Sequence, residues 1–387
     1  LNDGEDAQLE HRITQRYNPR VVFSVKTTSI KDSPNMNAVR GEAIYREIGS
    51  QPQSWRSLLL KITAMEKPLL RFLEGVEHLI LGGCGSGLNA ARYGAPLLQM
   101  SSRCVAQYAP AIDLILFPEA TAYQGISSAS ILLSRSGRTT ETVDAMRSLQ
   151  ARDVPVLGIT CTGDSPLAEE ADLALILDAV GEEAVTTTRS FTGMLIALQY
   201  ISALLTEDEP LIGTIEGLPD VCATVLPQAE ALSREMGSST RFTKFAFLGN
   251  GLNVGLAHEA QLKIKETTLL PSDAYPMLDF RHGPQSTVSD DMLLVALVSK
   301  RGSDQEWRLV TDMHELGAST FVLCDRADTD LRGFADYLLE FNTGWDDKSL
   351  GPLYMPPIHY LAYYRSLSAG LNPDEPQNLA YWIDTSQ

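Results

Sequence analysis

Short apolar runs that end in glycine- or hydroxyl-rich turns, each followed by a segment of helical period, recur along this chain. His78-Leu-Ile-Leu-Gly82 reads as a strand running into Gly83-Cys84-Gly85-Ser86-Gly87, and the alanine-rich stretch behind it reads as a helix. Phe245-Ala-Phe-Leu248 does the same, running into Gly249-Asn250-Gly251 and another helix. Roughly fifty residues further on in each copy comes another strand, Ser130 to Leu133 or Leu293 to Val298. Each is followed by a polar loop, a helix and a last strand, Val154 to Ile159 or Thr320 to Leu323. This order implies parallel strands with right-handed crossovers and helices on both faces, a doubly wound α/β sheet in each half. Ligands then belong at the strand C-termini.

The flanks read differently. Asn37 to Leu73 reads as helical, with Ile44, Ile48, Leu59, Ile62 and Leu69 on helical spacing and Pro52 and Pro68 as punctuation. Residues 1–35 are a polar extension with one β-like run, Val21 to Val25, between Pro19 and Pro34. Phe191 to Leu205 is the most apolar stretch. It is short for a bilayer and carries Gly193, Gln199, Tyr200 and Ser202, so a buried helix is expected and no membrane contact. The expected division is an extension at 1–35, a first domain with its leading helices at 36–220, a second at 221–370 and a tail at 371–387.

Composition narrows the chemistry. Hydrophobic residues make up 44% and charged residues 21% of the 387, which is globular. Acidic residues outnumber basic ones 49 to 31, and a net charge of −18 repels a phosphate backbone, so no nucleic-acid partner is expected. The same charge requires any phosphate site to be built locally, from backbone N–H groups and hydroxyls. Five scattered cysteines (Cys84, Cys104, Cys161, Cys222, Cys324) show no metal-ligand spacing and suggest reduced thiols. With no signal-peptide pattern in the residues given, a cytoplasmic location is expected, and neither a metal nor an organic cofactor.

Three motifs sit where ligands belong. Ser134-Arg135-Ser136-Gly137-Arg138-Thr139 follows an apolar strand and opens a helix. Gly137 permits a tight turn, and three hydroxyls converge with free helical N–H groups, which favours an anion over an ordinary helix cap. Gly83 to Gly87 is weaker alone, because glycine-rich turns serve many nucleotide sites. A dinucleotide reading is discounted: Ser102-Arg103-Cys104 stands where a closing acidic residue belongs. Glu259, Lys263 and Glu266 lie at i, i+4 and i+7 on the helix after the second glycine turn, sharing one face. That spacing fits a solvated Glu–Lys face or, at a strand end, a general base. His282, in a loop stiffened by Gly283 and Pro284, is a candidate proton carrier.

Together these residues resemble the double-SIS (sugar isomerase) phosphosugar family, including the isomerase half of glucosamine-6-phosphate synthase, tagatose-6-phosphate ketose/aldose isomerase and hexosamine-phosphate deaminases. The likeness runs from about residue 40 to the C-terminus. It rests on Ser134 to Thr139, Thr186-Thr-Thr-Arg-Ser-Phe191, Leu262-Lys-Ile-Lys-Glu266 and Arg281-His-Gly-Pro284, in the family's order. The resemblance implies two tandem flavodoxin-like, three-layer αβα SIS domains. It implies phosphate binding by Ser134, Arg135, Ser136 and Thr139, and sugar contacts from Cys84, Gly85, Ser86, Val185 and Thr187. Glu266 would move a proton between C1 and C2 through an enediol-type intermediate, with Lys263 beside it. His282 would assist ring opening from the neighbouring subunit, which implies a homodimer.

Two positions depart from the family pattern. Gly87 stands where a phosphate-holding serine is expected, and Tyr381, after Asn372 to Leu379, stands where a lysine for chemistry at an amino-bearing carbon is expected. The 387 residues also carry no glutaminase domain or N-terminal nucleophilic cysteine, so glutamine-dependent amination is not expected of them. The expected activity is aldose–ketose isomerisation, of the isomerising-deaminase type, on a hexose or hexosamine 6-phosphate. A hydrolytic amino-sugar-phosphate deaminase, a fructosamine-phosphate deglycase and a non-catalytic phosphosugar sensor are the alternatives.

Overall fold

Three helices lead in: α1 (Glu42–Gly49), α2 (Gln51–Thr63) and α3 (Glu66–Leu73). Ile44, Ile48, Ile62 and Leu69 on their inner faces are buried, as their spacing requires. The structure, a computed structural model, describes residues 40–101, 104–121, 125–328 and 332–385. The expected extension at 1–35, with its β-like run Val21 to Val25, lies outside the described residues.

The first half then runs β1 (His78–Gly83), α4 (Ser86–Ser101), β2 (Val105–Pro110), α5 (Ala111–Leu116), β3 (Ser128–Leu133), α6 (Thr140–Gln150), β4 (Val156–Thr160), α7 (Pro166–Glu170), β5 (Leu173–Ile176) and the buried α8 (Arg189–Thr206). A long helix, α9 (Glu209–Ser238), carries the chain to the second half, and residue 220 lies inside it. The second half runs β6 (Lys244–Gly249), α10 (Asn253–Thr268), β7 (Ser272–Pro276), β8 (Met292–Leu297), α11 (Ser303–Glu315), β9 (Ser319–Cys324), β10 (Tyr337–Glu340), α12 (Asp347–Leu350) and α13 (Met355–Ser368).

Both sheets are five-stranded and parallel, with orders β2-β1-β3-β4-β5 and β10-β9-β8-β6-β7, so each half places its strands in the same order. This is the doubly wound α/β fold expected from the sequence. The central strands β1, β4, β8 and β9 are buried at every position, because helices cover both faces of a parallel sheet. The sequence reading omits β2, β5, β7 and β10, the four edge strands. β2 and β7 mix buried with exposed positions, and β5 and β10 are only four residues long and mostly half-buried. Among the described residues no helix is long and apolar enough to cross a membrane.

Both halves belong to one compact unit, and a single apolar core joins them, including Leu81, Tyr93 and Leu133 from one and Phe247, Leu256 and Leu297 from the other. Helices α4 and α10 pack together at Gly255. A Cβ there would lie 2.6 Å from the Tyr93 nitrogen and 2.9 Å from the Asn89 oxygen, so only glycine allows this approach. The close crossing sets the N-terminal turns of α4 against the polar face of α10.

Candidate active site at the strand ends

Residues Ser134 to Thr139 turn out of β3 and into α6. Gly137 adopts φ +61, and a Cβ on it would lie 2.1 Å from the Ser165 Oγ, so conformation and space both require glycine. The turn is held by its own hydroxyls: the Gly137 N–H donates to the Ser134 Oγ (3.1 Å) and the Arg138 N–H to the Ser136 Oγ (3.2 Å). These contacts use hydroxyl lone pairs and leave the hydroxyl protons to donate elsewhere. The N–H groups of Arg135 and Ser136 make no hydrogen bond among the described residues, and the Thr139 side chain makes no capping bond to α6. Free amides and hydroxyls at a helix start form a cradle for an anion.

The matching turn of the second half, Ser299 to Ser303 between β8 and α11, is already filled. Glu306, fully buried, accepts from the Ser299 N–H (2.6 Å), the Ser299 hydroxyl (3.0 Å) and the Asn250 amide (2.8 Å). Asp347 accepts from the N–H groups of Lys300 (2.6 Å) and Arg301 (3.1 Å).

Glu259, Lys263 and Glu266 form one ionic row along α10. Lys263 Nζ lies 3.2 Å from Glu259 Oε1 and 2.7 Å from Glu266 Oε2. Glu259 and Lys263 are buried and the Glu266 side chain is 20% exposed, so this face is interior and not a solvated Glu–Lys stripe. From the first half, Ser86 Oγ donates to Glu259 Oε1 (2.8 Å), Asn89 donates to Glu259 Oε2 (2.9 Å), and Lys263 reaches Ser86 Oγ at 3.4 Å. Burial works against the Lys263 charge, but Glu259 and then Glu266 outweigh it and hold the amine's pKa above its ordinary value. Burial pushes the Glu259 carboxyl up, opposed by Lys263 and by the Asn89 and Ser86 bonds.

Ser86 also connects this row to the anion cradle. The glycine turn behind it packs on the end of β3: Cβ atoms at Gly83 and Gly87 would lie 2.6 and 2.3 Å from the Leu133 oxygen. A serine at position 87 has no room without a backbone shift. Cys84, half-buried, takes a long contact from the Thr142 hydroxyl (3.7 Å), and burial raises its thiol pKa. Thus the glycine turn touches the end of β3, from which the cradle departs, and through Ser86 it also touches the Glu259–Lys263 part of the ionic row.

The Arg135 guanidinium points away from the cradle. It donates to the carbonyls of Ala184 (3.0 Å) and Tyr381 (3.0 Å), lies 3.6 Å from Glu182 and stacks 3.9 Å over the Tyr381 ring. What Arg135 offers the cradle is its backbone. Val185 and Thr187, both half-buried, lie in a segment tied by the same arginine and by the C-terminal tail, through Val185 N–H to Asp374 O (2.9 Å) and Thr186 Oγ1 to Pro373 O (2.9 Å). The Tyr381 hydroxyl donates to Glu182 O (2.7 Å), so at this position the chain carries an anchor for the tail.

His282 stands apart. It is exposed at the end of a 3-10 turn, its backbone N–H bonded to Asp279 O (2.9 Å), and its ring meets none of the other candidates among the described residues. Sequence reasoning missed Asn89, which sits three residues after Ser86 on the first turn of α4. The i, i+3 spacing was a usable signal, but the partner Glu259 is 170 residues away. A cavity of about 400 Å³ lies at Lys67 and Arg71, and one of about 220 Å³ lies against the second-half turn at Ser299, Lys300 and Ser303, whose amides are nonetheless bonded; neither is lined by the candidate residues.

The SIS domain model matches residues 72–203 and 243–365. The chain belongs to the SIS family. It is 25% identical over 388 residues to a glutamine–fructose-6-phosphate aminotransferase (isomerizing) of Sulfurisphaera tokodaii, covering 98% of this chain and 60% of that protein. The chain therefore spans less than two thirds of that relative. Among solved structures, the tagatose-6-phosphate ketose/aldose isomerase of Escherichia coli superposes with a TM-score of 0.79 at 22% identity, over 89% of this chain and all (100%) of that one. The glucosamine-6-phosphate deaminase of Thermotoga maritima gives 0.71 at 25% identity, over 88% and 99%. At these identities the SIS fold is shared, and relatives and neighbours include both isomerases and deaminases.

Proposed function

We propose that this chain is a phosphosugar aldose–ketose isomerase, of the isomerising-deaminase type, that acts on a hexose or hexosamine 6-phosphate. The observation that carries the reading is a glycine turn packed on the strand end that opens into a free, neutral anion cradle, whose Ser86 also bonds to the buried carboxylate row. The amides of Arg135 and Ser136, with the hydroxyls of Ser134, Ser136 and Thr139, bind the phosphate. Cys84, Gly85, Ser86, Val185 and Thr187 line the sugar between them. The Glu266 carboxylate takes the proton from the carbon beside the carbonyl while the carbonyl oxygen gains a proton, giving an enediol; it then returns the carbon proton to the former carbonyl carbon while the neighbouring hydroxyl loses its own, so protons and electrons balance and no co-reactant is needed. His282 serves ring opening in the site of a second copy, which accounts for its exposure. Tyr381 carries no amine, and this favours isomerisation over chemistry through an imine at the amino-bearing carbon.

Glu266→Gln is expected to abolish turnover while phosphosugar affinity stays within about threefold, since the amide keeps the size but cannot accept the proton. A panel of hexose and hexosamine 6-phosphates in D₂O, followed by NMR, reads both substrate and reaction through deuterium at C1 or C2. Full activity in Glu266→Gln, or ammonia release without deuterium exchange, overturns the reading.

A further inference from the structure

Glu259 has no part in the proton transfer described above, yet it is the best-bonded carboxylate at the site. It is fully buried, which costs several kcal/mol for an ion of this size unless donors replace water. Three donors do so: Ser86, Asn89 and Lys263. Two of the three come from the other half of the molecule. Glu259 is therefore the point where the first half grips the row that contains Glu266.

We propose that Glu259 is a positioning residue: it fixes the Lys263 ammonium midway between two carboxylates, and through that ammonium it aims Glu266 and sets its strength as a base. The proposal rests on the reading of Glu266 as the base. The physical argument is the charge sequence of the row, negative, positive, negative. With Glu259 ionised, Lys263 is held between two anions and the two carboxylates repel each other. With Glu259 neutral, that repulsion is gone and Lys263 keeps Glu266 as its one anionic partner, so the base weakens.

The other groups facing the row are accounted for. Arg92 on α4 lies behind Asn89, donating to its Oδ1 (3.0 Å). His258 and Lys265 share α10, and burial, then Arg92 and Lys265, push His258 down to about 4. His359 on α13 is buried with both ring nitrogens unpartnered among the described residues, and burial and Lys263 push it down to about 3. Both histidines are thus neutral near pH 7 and add no positive charge beside the row.

The test compares Glu259→Gln and Glu259→Asp with the unmodified full chain. For Glu259→Gln, kcat falls at least tenfold, KM stays within about threefold, and the acid limb of the kcat profile moves about one unit to lower pH. Glu259→Asp recovers part of both. Carboxyl-carbon NMR of the row without substrate reads the same downward move in its apparent titration. That readout survives even if Glu266→Gln proves active, so failure of the base assignment and failure of the positioning role are distinguished. Should Glu259→Gln not fold, Asn89→Ala carries the test, with the same direction and a smaller shift. An unmoved pH profile and an unmoved NMR titration in a folded variant overturn the proposal.

Discussion

The two halves of this molecule share strand order and turn placement, and they differ in what fills the turn. In the first half, Ser134 to Thr139 leave the Arg135 and Ser136 amides without a partner among the described residues. In the second half, the amides of Ser299, Lys300 and Arg301 are closed by Glu306 and Asp347. The position held by Glu306, four residues into α11, belongs to Val143 or its neighbour Thr142 in α6, neither of which brings a charge to the loop. Conversely, α10 carries Glu259, Lys263 and Glu266, while residues at the same distances from the glycine turn in α4 are Tyr93, Leu97 and Met100. One copy of the fold supplies the anion cradle and the other supplies the ionic row. The lesson is that a phosphate-type turn does not identify a ligand site until the occupants of its amides are known.

The largest effect that sharpens this contrast is on stability. Glu306→Ala strips the second turn of its buried anion and leaves the half-buried Ser299 and Asn250 donors without their acceptor, a cost of roughly 2–4 kcal/mol in urea unfolding. Phosphosugar affinity and a stoichiometry of about one per chain are expected to stay unchanged. A fall in affinity or in stoichiometry breaks the comparison, because it would place a working site in the second half.

A smaller and pH-dependent effect belongs to the first half. Behind Arg135, Glu47 is buried close to Glu182 and accepts the Glu183 N–H (2.5 Å). Burial, then Glu182, push its carboxyl from the ordinary 4.5 to about 7. The folded state therefore holds this proton where the unfolded chain has lost it. The sign follows: the stability that the neutral form confers is complete below pH 4.5 and is lost as pH rises through about 7. Glu47→Gln mimics the neutral form and is expected to be more stable than the parent at pH 8, by on the order of 2–3 kcal/mol, with the gain vanishing at pH 4. Equal melting curves at pH 8 would refute this account of the pair.

The smallest expected effect is also the most direct on binding. Thr139→Ala removes one hydroxyl from the open cradle and is expected to weaken fructose 6-phosphate binding about tenfold, or ~1.4 kcal/mol. Ser303→Ala, at the matching position of the second half, is expected to leave it unchanged. Calorimetry on the two variants tests the pair together, and equal losses would show that the halves are not divided in this way.

Much of this arrangement is legible in the amino-acid order, and the unread parts have physical causes. Central strands announce themselves because burial on both faces demands unbroken apolar runs. The edge strands do not, since β2 and β7 alternate irregularly between buried and exposed positions and β5 and β10 are only four residues long. The hydroxyl-rich turn is recognisable because Gly137 and its serines are local. The direction of the Arg135 side chain is not, because it depends on Ala184, Glu182 and Tyr381, which the fold brings from 47 to 246 positions away. In the same way, Glu–Lys spacing on α10 fits a solvated face equally well, until the crossing at Gly255 buries it.

What the amino-acid order determines by itself is therefore the class of fold, the presence of two similar halves, and the chemical character of each motif. These follow from periodicity, from glycine's conformational freedom and from side-chain identity, all of which act over a few residues. What only the tertiary structure decided is which turn stands open, which way Arg135 faces, and that Ser86 and Asn89 grip Glu259. Those outcomes depend on burial and on partners distant in the chain, and desolvation acts on a group only once the rest of the protein has closed around it.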